Sequence, residues 1–212
     1  MAGDLTGAIN QAMDICWNER YGYNMGGMAH SYSEGVDCSG LVGRVLHDNG
    51  FNYPSYHVGT INMGSALRSA GFTELQYNDS FKPESGDIFV LNHLDMTGGH
   101  TFFYVEDIRA YTDANAYSAN IGIVHRAKVE ASSSRGHTAQ GDSRRNGTGA
   151  YWEVWCHAYN ALVSGYDWRD PGDSVKVYRY PGGYNPQKLQ GVAGFLILNS
   201  FVKSRRQKER YL

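Results

Sequence analysis

Apolar residues recur every three or four positions in three stretches near the start of the chain, a spacing typical of amphipathic helices. The first stretch follows Asp4, a suitable helix N-cap, and reaches Cys16 on its apolar side. The second begins at Cys38 and ends before Asn49-Gly50, and the third lies within residues 60–71. We therefore expect three short helices in this part of the chain.

Runs of apolar, aromatic and β-branched residues follow, and they predict buried strands. Turn-forming residues 83–87 lead into the run 88–91, and two glycines lead into a second run, 100–105, which we expect to pair with it. An alternating pattern over 151–156 predicts a further strand. The expected fold class is α+β, with N-terminal helices packed on a central antiparallel sheet and Cys38 at a helix N-terminus.

The composition limits the size and class of the protein. With 212 residues and 42% hydrophobic content, the chain can bury one sizeable core, and we expect one domain. Its net charge of −2 argues against a nucleic acid as the main partner, because binding phosphates needs an excess of basic residues. The longest apolar run, 191–202, is shorter than the roughly 20 residues that span a bilayer, so we expect no membrane span.

The three cysteines, Cys16, Cys38 and Cys156, are too few and too widely spaced to predict a disulfide framework or a zinc site. Cys16 and Cys156 fall on predicted elements where a cysteine serves as a small core residue. Cys38 differs from them, because a helix N-terminus favours an anion and hence the reactive thiolate. The alternative for Cys38 is the same core role.

His100 opens the second predicted strand, directly after Gly98-Gly99. A histidine in this position can face a helix N-terminus and supply the base that a nucleophilic cysteine needs within hydrogen-bonding reach. The alternative is a structural histidine held by hydrogen bonds. Cys38 and His100 therefore form a candidate Cys–His pair, for which we expect neither a metal nor a cofactor.

Short motifs connect this pair to a known family. Five of them occur in one order along the chain: Tyr23-Asn24-Met25, Asp37-Cys38-Ser39-Gly40-Leu41-Val42, Gly86-Asp87-Ile88-Phe89-Val90, Gly99-His100-Thr101 and Val129-Glu130-Ala131-Ser132-Ser133. With these motifs the chain resembles, over about residues 5–181, the NlpC-type cell-wall cysteine peptidases. This papain-like superfamily also contains CHAP amidases and many phage lysins. The resemblance implies a papain-like fold, with a single catalytic domain over residues 1–190 and an apolar, then basic tail over 191–212.

The resemblance also implies roles for individual residues. Cys38 is the nucleophile and His100 its base, and Glu130 is the third catalytic residue, at a position where the family uses His, Asn, Gln or Glu to orient the imidazole. His125 is the rival for this third position. In one regular strand, residues 125 and 130 face opposite sides of the sheet, so only one of them can reach the imidazole.

Three further residues, Tyr23, Asp37 and Ser39, are expected to bind the substrate. Tyr23 matches a tyrosine that the family places beside the nucleophile, where its hydroxyl can bond near the scissile carbonyl. We expect the loops 108–120 and 134–149 to determine which bond is cut.

The expected function is hydrolysis of an amide bond in bacterial peptidoglycan, as N-acetylmuramoyl-L-alanine amidase. The alternatives are a γ-D-glutamyl stem-peptide endopeptidase, a non-catalytic wall-binding module of the same fold, and acyl transfer. We expect a monomer whose partner is the peptidoglycan stem peptide. The N-terminus has neither the basic nor the apolar region of a secretory signal, which predicts synthesis in the cytoplasm and action on the wall after release or delivery.

Overall fold

Three helices precede the sheet in the computed structural model, which describes residues 2–16, 21–31, 34–95, 98–111, 121–132, 154–158, 166–167 and 169–185. They are α1 (Leu5–Asp14), α2 (Cys38–Asp48) and α3 (Thr60–Ser69). Asp4 caps α1 by accepting a hydrogen bond of 3.1 Å from the backbone N–H of Gly7. The three helices expected from the spacing of apolar residues are therefore present.

Eight strands of the described chain form one sheet. They are β1 (Thr73–Gln76), β2 (Ile88–His93), β3 (Gly99–Val105), β4 (Ile108–Tyr111), β5 (Ile121–Val124), β6 (Ala127–Ala131), β7 (Val154–Ala158) and β8 (Asp173–Arg179). Their order is β1-β8-β2-β3-β6-β7-β4-β5, and among the described strands every pair is antiparallel except β4 with β7. The α+β class is confirmed, and the sheet is antiparallel except for that one pair.

The two faces of the sheet bury different sets of side chains, because successive residues of a strand point to opposite sides. One face packs with α1, α2 and α3 in the main core and includes Ile88, Val90, Phe103, Val105 and Val129. The other face carries a second cluster, formed by Phe89, Leu91, Phe102, Tyr104 and Val177, which we call the aromatic face. Since His100 pairs across the strands with Leu91, it lies on the aromatic face.

The start of α2 is packed tightly against the loop before it. A Cβ on Gly40 would overlap the backbone carbonyl oxygen of Gly27, so only glycine allows this approach. The backbone N–H of Asp37 donates to the same carbonyl at 3.1 Å. The first turn of α2 is therefore held against the loop that contains Gly27.

Several sequence expectations concern the rest of the chain. Cys16 is buried in the main core, as expected, whereas the side chain of Cys156 and the loop 134–149 lie outside the described residues. Residues 108–111 of the expected loop 108–120 form a strand, β4. The tail 191–212 also lies outside the described residues, and the domain division stays a prediction. Among the helices described, none has the length and hydropathy needed to cross a membrane.

Candidate active site

Cys38 is the first residue of α2, and its side chain is buried. The preceding residue, Asp37, caps the helix: its Oδ1 accepts a hydrogen bond of 2.6 Å from the backbone N–H of Gly40. Oδ2 of the same carboxylate accepts a hydrogen bond of 2.7 Å from the backbone N–H of Gly26. Asp37 therefore ties the start of α2 to the loop beside it and fixes the position of the Cys38 thiol.

His100 lies at the start of β3 and contacts two other candidate residues. Its Nε2 is 2.7 Å from Oε2 of Glu130, and its side chain shares a hydrogen bond with that of Cys38. Because Nε2 faces the carboxylate, Nδ1 is the ring nitrogen left for the thiol. The structure thus brings Cys38, His100 and Glu130 together, although they come from α2, β3 and β6.

The electrostatic environment of His100 favours its protonated form. Burial alone lowers the pKa of this imidazole, but the negative charge of Glu130 and the hydrogen bonds with Cys38 and Glu130 outweigh burial and raise the pKa to about 9. At neutral pH His100 is therefore an imidazolium, which can donate a proton.

Glu130, and not His125, is the residue beside His100. The chain between residues 125 and 130 is not one strand, because β5 ends at Val124 and β6 begins at Ala127. His125 falls in the turn between them, where its side chain is 83% exposed and its Nδ1 lies 2.6 Å from Oδ1 of Asp107. The assumption of a single regular strand was wrong.

Asp37 and Ser39, two of the three expected substrate-binding residues, are buried and bonded within the protein. Ser39 Oγ donates to Asp37 Oδ1 at 3.1 Å. Tyr23 is partly buried in the loop before α2, where its backbone forms a bridge with Val36 and its hydroxyl lies 4.0 Å from Sδ of Met25. The contacts of Asp37 and Ser39 hold the start of α2, and a role of any of the three in substrate binding stays a prediction.

His57 is a residue near the site that the sequence pattern did not single out. Its Nε2 lies 2.8 Å from Asp37 Oδ2 and 3.0 Å from Ser39 Oγ. No local sequence pattern indicated these contacts, because the loop that holds His57 is separated from residues 37 and 39 along the chain. His57 therefore supports the capping residue Asp37 at the start of α2.

Tyr166 is a second residue that sequence reasoning missed. Its ring stacks on that of His93, with centroids 4.4 Å apart and planes 17° from parallel, and His93 is hydrogen-bonded to Asp173. Burial raises the pKa of Tyr166, and the charges of Cys38 and Asp173 raise it further, which places the phenol within electrostatic range of the thiol. No motif or periodicity marked this tyrosine.

Lys128 is a third such residue. Its Nζ lies 2.9 Å from the same carboxylate oxygen of Glu130 that contacts His100. Residues 128 and 130 are two apart on β6 and therefore share a face of the sheet, a relation that the sequence could have revealed.

The described residues contain no cluster of three or more His, Cys, Asp or Glu side chains arranged to hold a metal ion.

Comparison with models of known protein families found no match for this chain, and no curated protein is significantly similar to it. A function is therefore inferred from the geometry of the site together with the short motifs in the sequence.

Proposed function

We propose that the chain is a cysteine-dependent hydrolase with a papain-like fold that cleaves an amide bond of bacterial peptidoglycan. The observation that carries this proposal is the contact of His100 with the Cys38 thiol on one side and with the buried Glu130 carboxylate on the other. A nucleophile, a base and a group that orients the base are the three parts that thiol catalysis requires. The wall substrate is inferred from the motifs that resemble cell-wall peptidases.

The first chemical step is acyl transfer to the cysteine. The Cys38 thiolate attacks the carbonyl carbon of the amide, and a C–S bond forms. The C–N bond then breaks as His100 gives its proton to the leaving nitrogen. In this step the pKa of His100, raised to about 9, keeps the proton available at neutral pH.

The second step hydrolyses the thioester. The imidazole of His100, now neutral, takes a proton from water, and the water oxygen attacks the carbonyl carbon. The C–S bond breaks, which returns Cys38 as the thiolate beside an imidazolium and releases the product as a carboxylic acid, which then loses its proton to solvent. Glu130 keeps Nε2 occupied through both steps, so that the other ring nitrogen faces the reacting atoms. The negative oxygen that forms in each step is placed at the backbone N–H of Cys38, at the start of α2.

The bond between N-acetylmuramic acid and L-alanine is our proposed cleavage site, because the motifs most resemble those of phage lysins. A bond within the stem peptide, after D-glutamate, suits the same chemistry. Mass spectrometry of muropeptides released from purified cell walls distinguishes the two bonds: an amidase exposes the amino group of L-alanine, whereas an endopeptidase exposes that of the residue after D-glutamate.

The variant Cys38→Ala tests the nucleophile. We expect it to fold and to release no muropeptide fragments, while Cys16→Ala, which removes a buried cysteine of the main core, keeps releasing them. Circular dichroism of both variants checks that each is folded. If Cys38→Ala releases muropeptides as fast as the unmodified protein, Cys38 is not the nucleophile. If the unmodified protein releases none from any wall tested, the protein is not a peptidoglycan hydrolase.

A further inference from the structure

One oxygen of the Glu130 carboxylate contacts both His100 and Lys128. Oε2 of Glu130 lies 2.7 Å from His100 Nε2 and 2.9 Å from Lys128 Nζ. The carboxylate is fully buried, and the lysine side chain is only 5% exposed. The two charges are therefore paired away from water, in an environment where their interaction is strong.

The position of Lys128 is supported on a second side. Its Nζ lies 4.7 Å from the ring centroid of Phe102, within the range of a cation–π contact. Phe102 in turn stacks on Phe89 and lies beside His100, with ring centroids 4.9 and 6.0 Å away. The Lys128 ammonium group therefore lies on the aromatic face, beside the His100 imidazole. Burying a lysine is costly, and its contacts with Glu130 and Phe102 offset part of that cost.

A buried glutamate with histidine as its only ionic partner would hold that histidine strongly as an imidazolium. A histidine held in this way gives up its proton slowly, although the proposed reaction needs it to lose and regain a proton in each cycle. A lysine on the same oxygen offsets part of the negative charge of the carboxylate and leaves its hydrogen bond to the ring in place.

We propose that Lys128 is a positioning residue of the active site, which offsets part of the charge of Glu130 and so limits how strongly the carboxylate holds His100 as an imidazolium. This inference rests on the proposed function for its catalytic meaning. Other titratable groups around the set are Cys38 at the imidazole, Tyr166 within range of the thiol, and Tyr104, the register partner of Lys128 on β3.

The test is an NMR titration of the His100 ring, whose signal is identified by its absence from the variant His100→Gln. In Lys128→Met we expect the midpoint to rise by about one unit or more, a tenfold or greater gain in proton affinity, because a nearby positive charge is removed. In Lys128→Arg, which keeps the charge, we expect the midpoint of the unmodified protein. If Lys128 only stabilised the fold, Lys128→Met would lower the free energy of unfolding and leave the titration midpoint of His100 unchanged.

An unchanged or lowered midpoint in Lys128→Met overturns the proposal. If that variant does not fold, the effect of Lys128 is measured in a Glu130→Gln background. The double variant Glu130→Gln/Lys128→Met must then have a higher His100 midpoint than Glu130→Gln alone. The titration uses no peptidoglycan. A failure of the proposed function therefore leaves its result unaffected, and a failed titration does not question Cys38 as the nucleophile.

Discussion

Removing His100 should change how the stability of the protein depends on pH. The pKa of this imidazole is about 9 in the folded protein, against an ordinary value of 6.5. Because the folded state binds the proton more tightly, its contribution to stability is fully present below about pH 6.5 and is lost as the pH rises through about 9. The side chain is only 20% exposed, so solvent screens the effect little.

The size of the effect follows from the two pKa values. One unit corresponds to about 1.4 kcal/mol, so the difference between 6.5 and about 9 corresponds to roughly 3 kcal/mol. We therefore expect the free energy of unfolding of the unmodified protein, relative to that of His100→Gln, to fall by roughly 3 kcal/mol as the pH rises from 6 to 10. Gln keeps a hydrogen-bond donor for Glu130 and removes the titrating group.

Urea unfolding followed by circular dichroism at a series of pH values measures this difference. The matched control is His125→Gln, which removes another histidine paired with a carboxylate, but one that is 83% exposed. It should leave the pH dependence unchanged, because exposed pairs contribute little. Because Cys38 is hydrogen-bonded to His100 and contributes to its raised pKa, the comparison is repeated with Cys38→Ala in both proteins. Parallel stability curves for the unmodified protein and His100→Gln would refute the assigned role of Glu130 in holding the imidazolium.

Three further predictions concern activity and folding. Release of muropeptides should decline as the pH rises above about 9, because His100 then lacks the proton for the leaving nitrogen; a pH–rate profile measures this. Gly40→Ala should destabilise the fold by several kcal/mol and reduce activity, because the added Cβ overlaps a backbone carbonyl; chemical unfolding measures the loss. His57→Ala should cost about 1–3 kcal/mol, because the buried Asp37 carboxylate loses a hydrogen-bond partner; the same unfolding assay measures this.

The controls for these predictions come from the same chain. Gly59→Ala adds a Cβ where no atom lies within 4 Å, so its cost should be limited to about 1 kcal/mol, because alanine is less favourable than glycine at the N-cap of α3. His125→Ala removes an exposed histidine and should stay within about 0.5 kcal/mol of the unmodified protein. Equal losses in Gly40→Ala and Gly59→Ala would contradict the packing argument for α2.

Much of the local structure could be predicted because its causes lie within a few residues. Helix spacing and caps predicted the helices that start after Asp4 and at Cys38, since a helix buries residues three and four apart on one side. The apolar runs predicted β2 and β3 as paired strands, and they pair in the structure. The sequence by itself also determined which side of its own strand each residue faces, as for Lys128 and Glu130 on β6.

Only the tertiary structure decided which residues meet. The order of strands brings β3 beside β6, so that His100 reaches Glu130, and the turn after β5 places His125 on Asp107 instead. Sheet order and strand ends depend on contacts between distant parts of the chain, which a local pattern does not record. The same holds for Lys128: its place on a strand face is local information, but its position beside the oxygen that contacts His100 depends on the pairing of β6 with β3.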